Sequence, residues 1–206
     1  MIGAREALER LREGNRRFVD GVRASDEIGL HARRSELTAG QEPIAIVLGC
    51  SDSRVPAEIV FGHGLGDLFV IRVAGNIVAP SQIGSIEFAA ERFGTRLVVV
   101  LGHSMCGAVQ ATLDELRRSS GTPSLNLRSI VDRIRPAVAP LLASSDGRDP
   151  DRLMREAVRA NVRMSVAQLQ HGSEMIESLA QSAGLLIVGA EYSLETGIVD
   201  FFDGVP

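Results

Sequence analysis

Four short runs of branched apolar residues constrain this chain more than any other feature. They are Ile44–Leu48 (IAIVL), Leu68–Val73 (LFVIRV), Arg96–Leu101 (RLVVVL) and Leu185–Ala190 (LLIVGA). Such runs are too short for core helices and lack the polar alternation of a half-exposed strand, so they read as strands buried on both faces, as in a parallel sheet. Helical spacing between them supplies right-handed crossovers. The tail EYSLETGIVDFF is too short for another crossover and reads as a turn into an antiparallel strand. The predicted fold class is therefore α/β: a single domain with a mostly parallel central sheet of four strands, an antiparallel edge strand and helices on both faces. If strands one and three are neighbours, with strand two outside strand one, the order reverses between them. The crevice at that reversal, at the C-terminal strand ends, is the expected ligand site.

Ala4, Leu8, Leu11, Phe18 and Val19 fall at helical spacing over residues 3–20, with charge on the opposite face, and residues 22–43 read as a short helix and loop. Residues 1–43 thus form an N-terminal helical arm and residues 44–206 the α/β core. Pro56 suits the first turn of a short helix reaching Phe61, and Ser81 can cap a helix from Gln82 to Phe93. A helix is expected from Ser104 to about Arg118, then the turn SSGTPS. Residues 125–143 look helical, with Pro136 and Pro140 expected to kink or divide them. Asp149 or Asp151 can open a long helix to about His171, which Gly172 and Ser173 break and recap for a segment to Ala183.

The net charge is a mild −4, all 22 basic residues are Arg, and they scatter along helices; Trp is absent. That distribution argues against nucleic-acid binding. The N-terminal MIGAREALERLREGNRRF is charged throughout and lacks the apolar centre of a signal peptide, and no apolar run approaches the ~20 residues that span a bilayer. The expectation is a cytoplasmic protein with no membrane partner. In a reducing compartment its two cysteines point to a metal or catalytic pair rather than a disulfide.

Both cysteines follow directly on strands. Cys50 lies in GCSDSRV after the first run, and Cys106 in GHSMCG after the third. Cys, His and Asp are standard Zn²⁺ ligands, and HSMC offers an imidazole and a thiolate close enough for one turn to present both. The spacing of Cys50 from Cys106 is far outside that of fingers or ribbons, so a shared ion would join two strand ends. Cys50, His103 and Cys106 are the predicted ligands of one Zn²⁺ per chain, with Asp52 a conditional fourth. Three ligands and an open position make a catalytic site; four closed ligands make a structural one. Arg54, two residues after Asp52, can grip its carboxylate in a bidentate pair and hold it off the metal.

CSDSR followed by GHxxC resembles the β-class carbonic anhydrases, in which Cys, His and Cys bind zinc beside an Asp–Arg dyad. EPIAIVLGCSDSRVPAEIV, GDLFVIRVAGNIV, GSIEFA and VVVLGHSMCGAV stand in family order, and the N-terminal GNRRF also fits. The resemblance implies reversible hydration of carbon dioxide to bicarbonate by metal-bound hydroxide, with Asp52 and Arg54 as catalytic residues. In three-histidine carbonic anhydrases, a different class, zinc brings its water to a pKa of about 7. Two thiolates place more negative charge on the metal, so activity here should rise above neutral pH. The resemblance further implies a homodimer or a tetramer of dimeric units, with the N-terminal helix extending onto a partner subunit. It assigns substrate contacts to Gln41, reaching from the neighbouring subunit, to Phe69 and Phe88 as pocket positions, and to Gly107, which with Gly102 allows tight backbone around the metal pair. Phe88 stands where many members have Tyr. Some members carry a second, inhibitory bicarbonate site; Arg72 and Tyr192 match two of its residues, while Val47 replaces its Trp.

Other readings compete. Carbonyl sulfide or carbon disulfide hydrolysis would use the same scaffold, and a non-catalytic protein would keep its zinc closed by Asp52. A redox role is weaker, because the cysteines form no CxxC pair. His31, His63 and His171 read as surface or structural residues, with His63 the one near enough in sequence to relay protons. The stripe of the first helix reads most simply as core, or else as interface.

Overall fold

The structure, a computed structural model, describes residues 2–21, 33–117, 124–144 and 149–206. His31 and most of the SSGTPS turn lie outside these residues. Strands β1 (Ala45–Gly49), β2 (Leu68–Arg72), β3 (Leu97–His103), β4 (Leu186–Tyr192) and β5 (Val199–Asp203) form one sheet in the order β2-β1-β3-β4-β5. β1 pairs in parallel with β2 and β3, β3 in parallel with β4, and β4 antiparallel with β5. The chain leaves β1 for β2 and returns past β1 to β3, so the order reverses between β1 and β3, the arrangement that the sequence permits.

The helices are α1 (Ala4–Val19), α2 (Ala57–Val60), α3 (Pro80–Arg92), α4 (Gly107–Arg117), α5 (Leu125–Ala143), α6 (Pro150–His171) and α7 (Glu174–Ser182). They cover both faces. Val47, Leu97, Val99, Leu101, Val188 and Ala190 pack towards α1 and α2. The alternate residues Ile46, Leu48, Val98, Val100 and Ile187 pack against Ile86 and Ala89 of α3, Val162, Val166 and Leu169 of α6 and Ile176 of α7. Two buried faces explain why these strands carry no polar alternation. No described helix is long and apolar enough to cross a membrane.

Several boundaries differ from expectation. β3 continues through His103 and β4 through Tyr192, because those two residues pair across the ladder. α4 begins at Gly107 rather than Ser104. α3 opens on Pro80 and Ser81 makes no capping bond, whereas Asp149 and Ser173 cap α6 and α7 through Asp151 N–H and Ile176 N–H. α5 is continuous despite Pro136 and Pro140; burial of Val131, Ile134, Ala137 and Val138 holds the helix together where two backbone donors are missing.

The Ala7, Leu8 and Leu11 stripe of α1 is buried against its own chain, so it is core, the simpler of its two readings. Gly14 brings the helix so close to the following turn that a Cβ there would stand 1.8 Å from Phe61 O. Asn15 locks the contact by donating to Val60 O and Gly197 O and accepting from Val199 N–H.

Candidate metal centre

β1 and β3 end side by side, with Gly49 paired to Leu101, and this register delivers the predicted ligands to one place. The ligand atoms of Cys50, His103 and Cys106 lie within 4.8 Å of one another. All three residues are buried, at 5%, 0% and 1% exposure, and the two cysteines cluster with Val109 and Leu113 of α4 and Ile134 and Val138 of α5.

The imidazole is set for a cation. His103 Nδ1 lies 2.9 Å from Ser104 O; a carbonyl only accepts, so Nδ1 carries the proton and Nε2 presents its lone pair. Nε2 is buried and has no hydrogen-bond partner, a costly arrangement unless something binds there. Cys106 accepts the first helical hydrogen bond of α4 from Gln110 N–H, so its sulfur sits at a helix N-terminus, where negative charge is favoured. Met105 between the two ligands takes φ +55°, a left-handed turn that lets both face the same point.

The two thiols divide their protonation. A hydrogen bond with Cys106 lowers the Cys50 thiol far below its ordinary value despite burial, helped by the Gly75 amide. Cys106 moves up, through the same bond and burial, against the pull of the Ala108 and Val109 amides. One thiolate is therefore ready, and a dication is what would stabilise the second. Two thiolates and a neutral imidazole are a zinc donor set, and the unpartnered Nε2 completes the fit.

Asp52 stands beside this set without joining it. Its Oδ2 is 3.8 Å from His103 Nε2, and both its oxygens are held by Arg54. Nε donates to Oδ1 at 2.9 Å and Nη2 to Oδ2 at 2.7 Å, while Arg54 N–H adds a bond to Oδ1 at 3.0 Å. The Arg54 hydrogen bonds hold the Asp52 carboxyl well below the usual carboxylate range, so it stays an acceptor through the acid range.

The remaining predicted residues scatter. Gly107 opens α4 with nothing near the place of a Cβ, so backbone crowding does not require it there; Gly102 is crowded, with a Cβ falling 2.5 Å from Val162 Cγ2. Phe69 and Phe88 lie 6.2 Å apart in a three-ring cluster with Phe93. Phe69 pairs with Ile46 near the start of β1, away from the end that carries Cys50. Gln41 is exposed and lines a shallow hollow with Leu37, Gly66 and Phe93, also away from its own chain's ligands.

Arg72 and Tyr192 sit on β2 and β4, with β1 and β3 between them. Arg72 is engaged elsewhere, donating to Cys50 O at 3.0 Å and Asp52 O at 2.5 Å. Tyr192 is 6% exposed and packs on Phe18. His63 lies by Asp67, 3.6 Å away, and burial lowers its pKa.

Comparison with known proteins identifies the constellation. The family described as carbonic anhydrase matches residues 45–199. The chain belongs to the β-carbonic anhydrase family. It is 42% identical to a carbonic anhydrase of Mycolicibacterium smegmatis over 94% of this chain and 91% of that one. It is 41% identical to carbonic anhydrase 2 of Mycobacterium tuberculosis over 93% and 89%. Its fold is similar to that of the β-carbonic anhydrase CafA of Aspergillus fumigatus, with a TM-score of 0.76 and 27% identity over 85% of this chain and 83% of that one.

Sequence reasoning on this β-carbonic anhydrase missed two supports of the site. Gly75 N–H donates to Cys50 Sγ at 3.3 Å; a backbone donor leaves no side-chain signature, although Gly-Asn after a strand hints at a left-handed turn. Ser104 Oγ donates to Glu195 and accepts from Leu194 N–H, which fastens the turn after β4 to the His103 turn.

Proposed function

We propose that this enzyme carries out the reversible hydration of carbon dioxide to bicarbonate and a proton with one Zn²⁺ held by Cys50, His103 and Cys106. The observation that carries the reading is the buried, unpartnered His103 Nε2 facing two buried thiols beside an Arg-locked carboxylate. Zinc, when bound, supplies the Lewis acidity that makes water nucleophilic at moderate pH. Cys50, His103 and Cys106 hold and orient the ion. Asp52, kept ionised and off the metal by Arg54, accepts a hydrogen bond from the incoming water and directs its remaining lone pair at the substrate. The grip of Arg54 favours this over a zinc permanently closed by Asp52, since a structural site has no need of the dyad.

Subunit association completes the pocket. β2 is a sheet edge, and the neighbouring Phe88 is 53% exposed, a surface that a second copy would cover. Gln41, remote from its own chain's ligands, would then serve the partner's site, with Phe69 and Phe88 shaping the wall between subunits.

Metal analysis and stopped-flow carbon dioxide hydration on wild type and Cys106→Ser test the proposal. Wild type should hold one zinc per chain and hydrate carbon dioxide with activity rising above neutral pH, and Cys106→Ser should lose both. Stoichiometric zinc without hydration at any pH would overturn the enzymatic reading; full zinc retention by Cys106→Ser would overturn the ligand set.

A further inference from the structure

The backbone donor to Cys50 is held by a device on another helix. Gly75 takes φ +70° and Asn76 φ +43°, so two consecutive residues occupy left-handed backbone, which is unfavourable for the Asn. A Cβ on Gly75 would fall 2.7 Å from Ile134 Cδ1, so this close turn also requires glycine. Such a turn persists only where its surroundings fix it.

α6 does the fixing. Asn161 Nδ2 donates to Gly75 O at 2.8 Å and Ser165 Oγ to Asn76 O at 3.1 Å. The two side chains stand one helical turn apart on one face, each 2% exposed, among Ala157, Val158, Val162 and Val166. Polar groups in such a setting are costly unless hydrogen-bonded, and apolar residues would pack there without that demand. Both polar groups go to a single turn, whose outward product is the Gly75 N–H on Cys50 Sγ.

We infer that Asn161, seconded by Ser165, is a positioning residue of the metal centre: it holds the Ala74–Asn76 turn so that the Gly75 N–H donates to the Cys50 sulfur. The inference rests on Cys50 being a metal ligand. A hydrogen bond to a ligating sulfur withdraws charge from it and fixes its direction. In a set with two thiolates, this offsets part of the negative charge that would otherwise blunt the ion's Lewis acidity.

The test uses cobalt(II) and zinc(II) with the full chain. The thiolate-to-cobalt charge-transfer band reads the electron density on sulfur, and competition with a chelating dye reads zinc affinity. Asn161→Leu keeps similar bulk and cannot donate. Its band should move to longer wavelength, and its zinc affinity should fall about tenfold to a hundredfold. Ser165→Thr, which keeps the hydroxyl, should leave the band in place. A merely structural role would lower the melting temperature of metal-free and loaded protein alike without moving the band, and that result would overturn the inference. Should Asn161→Leu not fold, Ser165→Ala decides: a shift in the same direction supports the device, and an unmoved band overturns it. Failure of the wild type to bind either ion would instead overturn the metal reading itself.

Discussion

Replacing Gly102 by Ala should damage the metal centre without touching a ligand. Gly102 lies on β3 directly before His103, and a Cβ there would meet Val162 Cγ2 at 2.5 Å, with Val158 Cγ1 at 3.5 Å behind it. Carbon atoms in comfortable contact stand about 3.5–4.0 Å apart, so roughly 1 Å of room has to be found. Val162 is fully buried, and interiors at crystal-like density hold no such slack. Either Val162 leaves its rotamer or α6 rides up from the sheet and His103 shifts with its strand. Overpacking of this kind costs about 1–3 kcal/mol, and at this chain length each kcal/mol lowers Tm by about 2–4 °C, so scanning calorimetry should show a fall of about 2–12 °C. Zinc affinity should weaken with it. Val162→Ala removes the obstructing methyl, although it also opens space above Gly189, whose Cβ would stand 2.8 Å from Val162 Cγ1. The double variant should therefore be more stable than the two single losses together predict, by about 1–3 kcal/mol. Strict additivity, or a Gly102→Ala protein with wild-type Tm, would refute the reasoning.

Three further outcomes are expected. Arg54→Ala should lose hydration activity at neutral pH as Asp52 is freed. Because Arg54 lowers the Asp52 pKa in the folded state, the pair stabilises the fold above the unfolded value of about 3.9 and ceases to do so as pH falls through the folded one; the gap in urea midpoint between wild type and variant should thus narrow from about pH 7 towards pH 3. A gap independent of pH would count against the pairing. Asn15→Leu leaves Val60 O, Gly197 O and Val199 N–H without their partner; at about 1–3 kcal/mol for each buried group, urea unfolding should show a loss of about 3 kcal/mol or more, and a loss below about 1 kcal/mol would mean that α1 is not docked this way. Phe88→Glu should halve the mass of the proposed dimeric unit in light scattering and reduce hydration activity with it; an unchanged mass would place the interface elsewhere.

The sheet was legible because both its faces are buried: strands such as Val98–Leu101 carry their identity in every residue, with no dependence on what lies beside them. The ligand set was legible for a related reason, since thiol, imidazole and carboxylate announce their chemistry wherever they occur. The ends of β3 and β4 were less so. Gly102-His103 and Glu191-Tyr192 look like stops, and only their pairing across the ladder extends the strands. Arg72 and Tyr192 are set apart by β1 and β3, a spacing that chain order does not display. Arg72 instead ties down the Cys50 loop through carbonyls, and backbone partners of this kind, like the Gly75 amide, are invisible in a residue alphabet. The stripe of α1 reads the same whether it meets its own core or a neighbour's; contact with the sheet decides it.

The reversal of strand order also sets a sequence of events. Cys50 and its two companions become neighbours only after the chain has gone out through β2 and α3 and come back, so an unfinished chain offers a cation at most a lone thiol, or the imidazole and thiol of HSMC. On the proposed zinc reading it would compete poorly for metal and the finished fold well, so loading would follow folding and report on it. A chelator should take the ion and leave the sheet standing, the opposite of what happens in small modules whose zinc is the reason they fold.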